Sequence, residues 1–318
     1  MKTKILLYLL IAIGLSNSIY AQTYFDLTKE YPAPNNQSYL SDLKTLKTYS
    51  YAEVKKAFDE ILKSGLEFNY PQGGCQNRAQ YMSLLLEKKL NIQHAKIWLF
   101  SPADLYAGNQ TSLEIADKNQ LAPESTIKWL YHVAPCVLTN ENGKIDTLVI
   151  DPSLDNSQPM KLSSWLKSMK NANVSKYTFL NPKLYFFETT NNNIISGVFY
   201  KFEKDPRFAT DNYMNLSLEK SLAINDLAIY TLNKYISPLK QSTKESDITK
   251  LNDLRKLFGN VSALTKIFGS LESYVGVYAS DNIYSRTLLE NYPEIMSDAM
   301  KFYMDRYILW TKNLTSLK

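Results

Sequence analysis

Apolar and polar positions change period several times along this chain, and each change marks a predicted element. From Ser50, Val54, Phe58, Ile61, Leu62 and Leu66 recur at helical spacing behind a serine able to cap, so a helix is expected to start at that cap. Pro71-Gln72-Gly73-Gly74 interrupts the pattern. A second helix is predicted from about Cys75 to Lys89, with Ala79, Met82, Leu85 and Leu86 on its buried side. Lys96 to Phe100 reads as a short strand. Residues 101–127 are polar and carry Pro102, Gly108 and Pro123, which predicts a long surface loop. Two apolar runs follow, Lys128 to Leu138 and Lys144 to Asp151, joined by Thr139-Asn140-Glu141-Asn142-Gly143. The Asn-Gly pair supplies the positive φ values of a tight hairpin. Pro135 inside the first run predicts a bulge or an edge position. A short helix around Leu162 to Met169 and strands near Tyr185 to Glu188 and Ile194 to Phe202 complete an α+β unit.

Beyond Leu216 the period is helical throughout. Leu218, Leu222, Ile229, Leu232, Ile236 and Leu239 form one stripe, and Leu254, Leu257, Phe258, Val261, Leu264 and Phe268 a second. Leu288, Tyr292, Ile295, Met296, Ala299 and Tyr303 form a third. Pro238 and the polar run Gln241 to Asp247 separate the first two. The aromatic and methionine residues of these stripes are read as core packing. The expected division is a leader over 1–21, an irregular arm over 22–50, an α+β unit over 51–205 and an all-α region over 206–318.

The first residues change the picture of where the chain works. Lys2 and Lys4 precede an apolar run from Ile5 to Leu15 and a small, polar exit ending at Ala21. That is the layout of a cleaved export signal, with Ile19 leaving the cut uncertain. The run is too short for a membrane span. No cysteine follows it, which excludes a lipid-modified cysteine anchor. The expectation is an exported protein, periplasmic or secreted, with no membrane attachment after cleavage. With 45% hydrophobic residues the chain can bury a core. Its formal charge of +5, two units of which lie in the leader, is too mild and too scattered to indicate nucleic acid.

The chain holds only two cysteines and two histidines. A Cys75–Cys136 bridge is one reading of the cysteines; the alternative makes Cys136 a buried small hydrophobe and Cys75 reactive. Cys75 follows Gly73-Gly74 and opens a predicted helix, where free N–H groups favour a thiolate and bind an oxyanion. His132 lies on the first hairpin strand and Asp151 at the end of the second. With the turn near Asn142, the partner of His132 falls near Pro152, which brings Asp151 into its neighbourhood. Cysteine, histidine and aspartate in this order suit a thiol nucleophile, its base and the group that orients the base. Each has a plainer reading: a structural cysteine, a hydrogen-bonded strand histidine, an Asp-Pro-Ser turn. His94 lacks a nearby acidic residue and is read as structural. Two histidines and two cysteines without close spacing disfavour a metal site.

At these residues the sequence resembles the bacterial protein-glutaminase family. The likeness is carried by Phe68-Asn69-Tyr70-Pro71, Gly74-Cys75, Arg78-Ala79 and Met82. It continues through Trp129, Tyr131-His132-Val133-Ala134 and Val137, and closes on Ile150-Asp151-Pro152-Ser153-Leu154. The resemblance covers roughly 50–190. It implies a transglutaminase- or papain-like antiparallel sheet, with the nucleophile helix before it and here an all-α region after it. It implies a Cys-His-Asp deamidase acting on glutamine side chains of proteins or peptides, without metal or organic cofactor. Cys75 would be the nucleophile, His132 the base and acid, and Asp151 the orienter; Gly74, Trp129 and Tyr131 are oxyanion or positioning candidates. Asp155 stands where the family carries an aromatic, and Gln80 where it carries a histidine. A transglutaminase or a cysteine peptidase would use the same trio, and an inactive binding module would keep the fold. The helical tail is a candidate lid or docking surface for a protein substrate.

Overall fold

The computed structural model describes residues 22–23, 41–106, 108–190, 193–201, 217–259, 261–268 and 290–317. The predicted leader, most of the N-terminal arm and the start of the third stripe at Leu288 lie outside them.

Strand β1 (Gln22–Thr23) and strand β2 (Thr48–Tyr49) precede helix α1 (Tyr51–Leu62). Its start is a capping box. Ser50 Oγ accepts from the Glu53 N–H, and the Glu53 carboxylate accepts from the Ser50 N–H at 2.8 Å. Helix α2 (Cys75–Leu84) opens from Gly74, which takes φ 74°, and runs on into a π turn over Leu85–Lys89. The four apolar positions expected to be buried are buried, but so are Asn77, Arg78, Gln80 and Ser83. The helix is enclosed on all sides, because the sheet lies against one face and the C-terminal helices against another.

Strand β3 (Ala95–Phe100) is followed by helix α3 (Pro102–Leu105), strand β4 (Leu113–Ala116) and strand β5 (Thr126–Trp129). Residues 101–127 are therefore not a structureless surface loop, as their polarity suggested. β4 and β5 pair antiparallel. The turn between them is organised by buried Asp117, whose carboxylate accepts from the N–H groups of Asn119, Leu121 and Ala122. The apolar run predicted from Lys128 to Leu138 breaks at exposed Leu130, between β5 and strand β6 (Tyr131–Glu141). The hairpin to strand β7 (Lys144–Val149) turns at Asn142 and Gly143, with φ 53° and 81°.

Strand β8 (Met160–Lys161), helix α4 (Leu162–Lys167), strand β9 (Lys176–Leu180), strand β10 (Leu184–Thr190) and strand β11 (Asn193–Lys201) complete this part. The main sheet runs β9-β3-β6-β7-β8 with antiparallel neighbours; β1 joins β9 and β2 joins β6 in parallel. Strands β10 and β11 form a separate hairpin. The fold is thus mixed α and β with an antiparallel centre and a helical C-terminal region.

β6 is central, so Pro135 is at neither an edge nor a bulge. Its pairing with β3 is continuous from Ala95↔Cys136 to Phe100↔Tyr131. The Pro135 carbonyl accepts from the Ile150 N–H at 2.8 Å, on the side where β7 departs. A missing N–H on that side removes no bond from the β3 ladder.

The C-terminal region contains α5 (Leu218–Thr231), α6 (Glu245–Phe258), α7 (Val261–Phe268) and α8 (Pro293–Thr315). Pro238 falls in a 3-10 turn over Ser237–Gln241, where the first stripe was expected to end. These helices share one hydrophobic cluster with α1 and α2: Phe58, Tyr81 and Leu86 join Leu222, Phe258, Phe268 and Trp310. A second cluster, including Ile97, Ala134, Cys136 and Trp165, lies on one face of the sheet. A third joins Cys75 and Ala79 to Trp98, Phe100 and Val133.

Candidate functional site

Three local devices bring the trio together. Gly74 frees the chain to turn sharply into α2, so Cys75 becomes the first residue of the helix. The register of β6 against β3 pairs His132 with Leu99, and the hairpin brings the chain back so that Asp151 lies two residues past the end of β7. His132 Nε2 then lies 2.7 Å from Asp151 Oδ2, both residues almost fully buried. The hairpin argument made from sequence therefore put this pair together correctly.

The imidazole is held on three sides. Trp129 stacks on it with centroids 4.4 Å apart and planes 6° apart, and Trp165 lies beyond at 5.6 Å. Trp129 Nε1 donates to the Pro71 carbonyl at 2.8 Å, tying the ring to the strap that leads into Cys75. Trp165 Nε1 donates to Asp151 Oδ2 at 2.8 Å. With Nε2 used on Asp151, Nδ1 is the ring atom free for Cys75. It makes no hydrogen bond of ordinary geometry, yet the thiol is close enough to act on the imidazole's charge.

The electrostatics follow from this arrangement. Burial opposes a charge on His132, but the Asp151 carboxylate outweighs it, with Cys75 adding in the same direction; the pKa is raised to about 9. Burial likewise opposes a charge on Asp151, while His132 and the Trp165 donor hold it below the usual carboxylate range. The pair is an imidazolium and a carboxylate at neutral pH. Cys75 is 8% exposed, at the margin of this buried set. Its Sγ lies 3.7 Å from Gln76 Oε1.

Both cysteines are free thiols, so the Cys75–Cys136 bridge is absent. Cys136 is wholly buried opposite Ala95 in the sheet, and burial pushes its thiol up. His94 is buried with Nδ1 3.1 Å from the Ile92 carbonyl, and burial lowers its pKa to about 4. Tyr131 packs against Trp98 and Phe187, and burial, with neighbouring Cys75 as the next influence, keeps its hydroxyl protonated. Among the described residues, no three of His, Cys, Asp and Glu converge as metal ligands. Nor is any described helix long and apolar enough to cross a membrane.

Two contributors escaped the sequence reading. Arg78 is 1% exposed, and its Nη1 donates to the carbonyls of Tyr70 at 3.1 Å and Gly73 at 2.8 Å, so it pins the strap from inside α2. The available signal was its place in the motif string, one turn after the cysteine. Trp165 gave none, because its bond to Asp151 depends on how α4 folds back.

A groove of about 390 Å³ opens beside the site. Asn69 and Pro71 wall it from the strap, and Pro152, Ser153, Asp155 and Asn156 from the turn after Asp151. Gln80, which stands where the resemblance expects a histidine, accepts from Nζ of the buried Lys96 at 2.5 Å.

The sequence model of a family described as Glutaminase matches residues 47–169, a segment that contains Cys75, His132 and Asp151. The likeness read from the motif string is therefore supported over that segment, as a match to a glutaminase family. No curated protein matches the chain by sequence. Among solved structures, the chain is similar to the NMR structure of protein-glutaminase from Chryseobacterium proteolyticum. Identity there is 20%, coverage 54% of this chain and 87% of that one, and the TM-score 0.39. It is also similar to the crystal structure of pro-protein-glutaminase, at 19% identity, covering 63% of this chain and 65% of that one, with a TM-score of 0.40.

Proposed function

We propose, from a chain whose residues 47–169 carry the glutaminase pattern, that this protein deamidates glutamine side chains in polypeptides through Cys75, His132 and Asp151. The observation that carries the reading is the buried His132–Asp151 pair at 2.7 Å beside a cysteine that opens a helix. In this reading Cys75 is the nucleophile and α2 its helix, within a transglutaminase-like core.

The Cys75 thiolate adds to the γ-carboxamide carbon, and the carbonyl electrons move to oxygen. His132 hands the departing nitrogen its proton from Nδ1, ammonia leaves, and a thioester remains. Water then adds, with His132 taking its proton, and the C–S bond breaks to give glutamate and the thiolate. Asp151, fixed by Trp165, stabilises the imidazolium and holds Nδ1 toward the sulfur. Trp129 keeps the ring from rotating. No metal or organic cofactor has a role in these steps. The groove beside the site accommodates the polypeptide that carries the glutamine, with Asp155 in its wall tuning preference.

The basic start and apolar run over residues 1–21 support export, so we place the working enzyme in the periplasm or outside the cell. The test is a glutamine-containing peptide followed by mass spectrometry and ammonia release. Deamidation adds about one dalton per site, whereas crosslinking would join peptides and proteolysis would shorten them. An unchanged peptide with no ammonia would refute the assignment.

A further inference from the structure

The N-terminus of α2 lacks a capping side chain, because Gly74 holds the cap position. The first bonds to the Gly74 carbonyl come from the N–H groups of Asn77 and Arg78. Those of Cys75 and Gln76 are the orphan donors of a first turn. The space a capping side chain would fill is taken from outside the catalytic segment. A Cβ on Gly74 would lie 2.8 Å from Asn225 Nδ2 and 2.9 Å from its Oδ1. Glycine is required here twice, for φ 74° and for the approach of Asn225.

Asn225, on α5, is 1% exposed, and neither of its amide atoms has a hydrogen-bond partner. The two polar side chains that flank it on the same helix, Ser221 and Asp226, are engaged. Ser221, one turn earlier, hydrogen-bonds the Tyr185 hydroxyl, which itself donates to Asn77 Oδ1 at 2.6 Å. Asp226, the next residue, accepts from Arg306 Nε and Trp310 Nε1, each at 2.6 Å. α5 is thus pinned on both flanks of a carboxamide that is buried, unpaired and turned to the start of α2. A buried polar group left unpaired costs stability, and such a group in a functional site is explained by the ligand that completes it.

We propose that Asn225 Nδ2 is the second donor of an oxyanion site, acting with the Cys75 N–H. This rests on the reading of Cys75 as an acyl-accepting nucleophile, and it names the residue that binds the carboxamide oxygen of that substrate. When Sγ bonds to the carbonyl carbon, the electron pair displaced onto oxygen is held by the two N–H groups. When the C–N bond breaks, the pair returns and the carbonyl reforms. Gln72 is the rival donor: its amide atoms are also unpaired, but its residue is only half-buried, and the three atoms nearest a Cβ on Gly74 belong to Asn225 and Asn77.

The test compares two reactions of Cys75 in the full chain. Acylation by p-nitrophenyl acetate passes through an oxyanion; alkylation by iodoacetamide does not. In Asn225→Ala, and in the nearly isosteric Asn225→Asp, acylation slows by about 10²–10³-fold while alkylation stays within about twofold of the parent. Unchanged acylation in folded Asn225→Ala overturns the proposal. So does an equal fall in both reactions, a parent thiol inert to the ester, or a selective acylation loss in Gln72→Ala but not in Asn225→Ala. A parent acylated in an Asn225-dependent way that leaves glutamine peptides untouched would sink the glutaminase reading and keep the oxyanion site.

Discussion

The α+β segment and the C-terminal helices bury their side chains by different rules. Around His132 the interior is polar and specific: Trp129, Trp165, Asp151 and Arg78 are buried, and each holds a defined partner. In α5, α6 and α8 the interior is mainly apolar stripe, with polar exceptions on α5 at Ser221, Asn225, Asp226 and Thr231. The two regions nevertheless meet on one helix. α2 presents Ala79 to the sheet cluster and Tyr81, Met82 and Leu86 to the cluster built with the helices. The lesson is that a candidate site contained in a matched segment of 123 residues need not be held in shape by that segment alone.

Substitutions can break each half of this comparison. The largest effect is expected at Asp151→Asn. The imidazole loses its orienting charge, and ammonia release from a glutamine peptide falls by about 10³–10⁴-fold while the fold survives. On the other side, Trp310→Ala removes a fully buried ring that touches Tyr81 at 5.0 Å between centroids and donates to Asp226. A loss of about 3–5 kcal/mol in denaturant unfolding is expected. If the shared core makes the regions one unit, tryptophan fluorescence and activity fall together; separate transitions would show them to be independent.

Two smaller effects sharpen the account of the polar interior. Trp165→Phe keeps the ring and deletes the bond to Asp151, and about a tenfold fall in turnover is expected. The pH profile reports His132. Its pKa of about 9 is raised above the ordinary value of 6.5, so its contribution to stability is fully present below 6.5 and is lost as pH rises through about 9. Turnover that needs the imidazolium falls over the same upper limb. In Asp151→Asn that limb moves to lower pH; an unmoved limb would assign it to another group. The smallest effect is expected far from the site, at the capping box: Ser50→Ala costs about 1 kcal/mol in the same unfolding measurement and leaves turnover unchanged.

What could be read from the sequence was local or tied to one turn. Ser50 and Glu53 announced α1, Asn142-Gly143 announced the hairpin, and the hairpin register carried His132 to Asp151. The three apolar stripes announced the tail helices within the described residues. What escaped depended on contacts across the chain. Polarity hid the order in residues 101–127, because a single buried carboxylate, Asp117, satisfies the turn. Pro135 looked like an edge signal because sequence does not say on which side of β6 the neighbouring strand departs. β9, in Lys176–Leu180, alternates over only four residues, too few to announce a strand, and is one because β3 pairs along its length. Asn225 resembled an incidental polar residue on an apolar helix, and only its approach to Gly74 gives it meaning.

The most direct measurement is a rapid acid quench of the full chain mixed with a glutamine-containing peptide, followed by mass spectrometry of the fragment containing Cys75. The account predicts a covalent adduct on Cys75 equal to the peptide less one ammonia, formed with the first ammonia released and absent in Cys75→Ala. Ammonia released with no adduct on Cys75, or released as fast by Cys75→Ala, would contradict it.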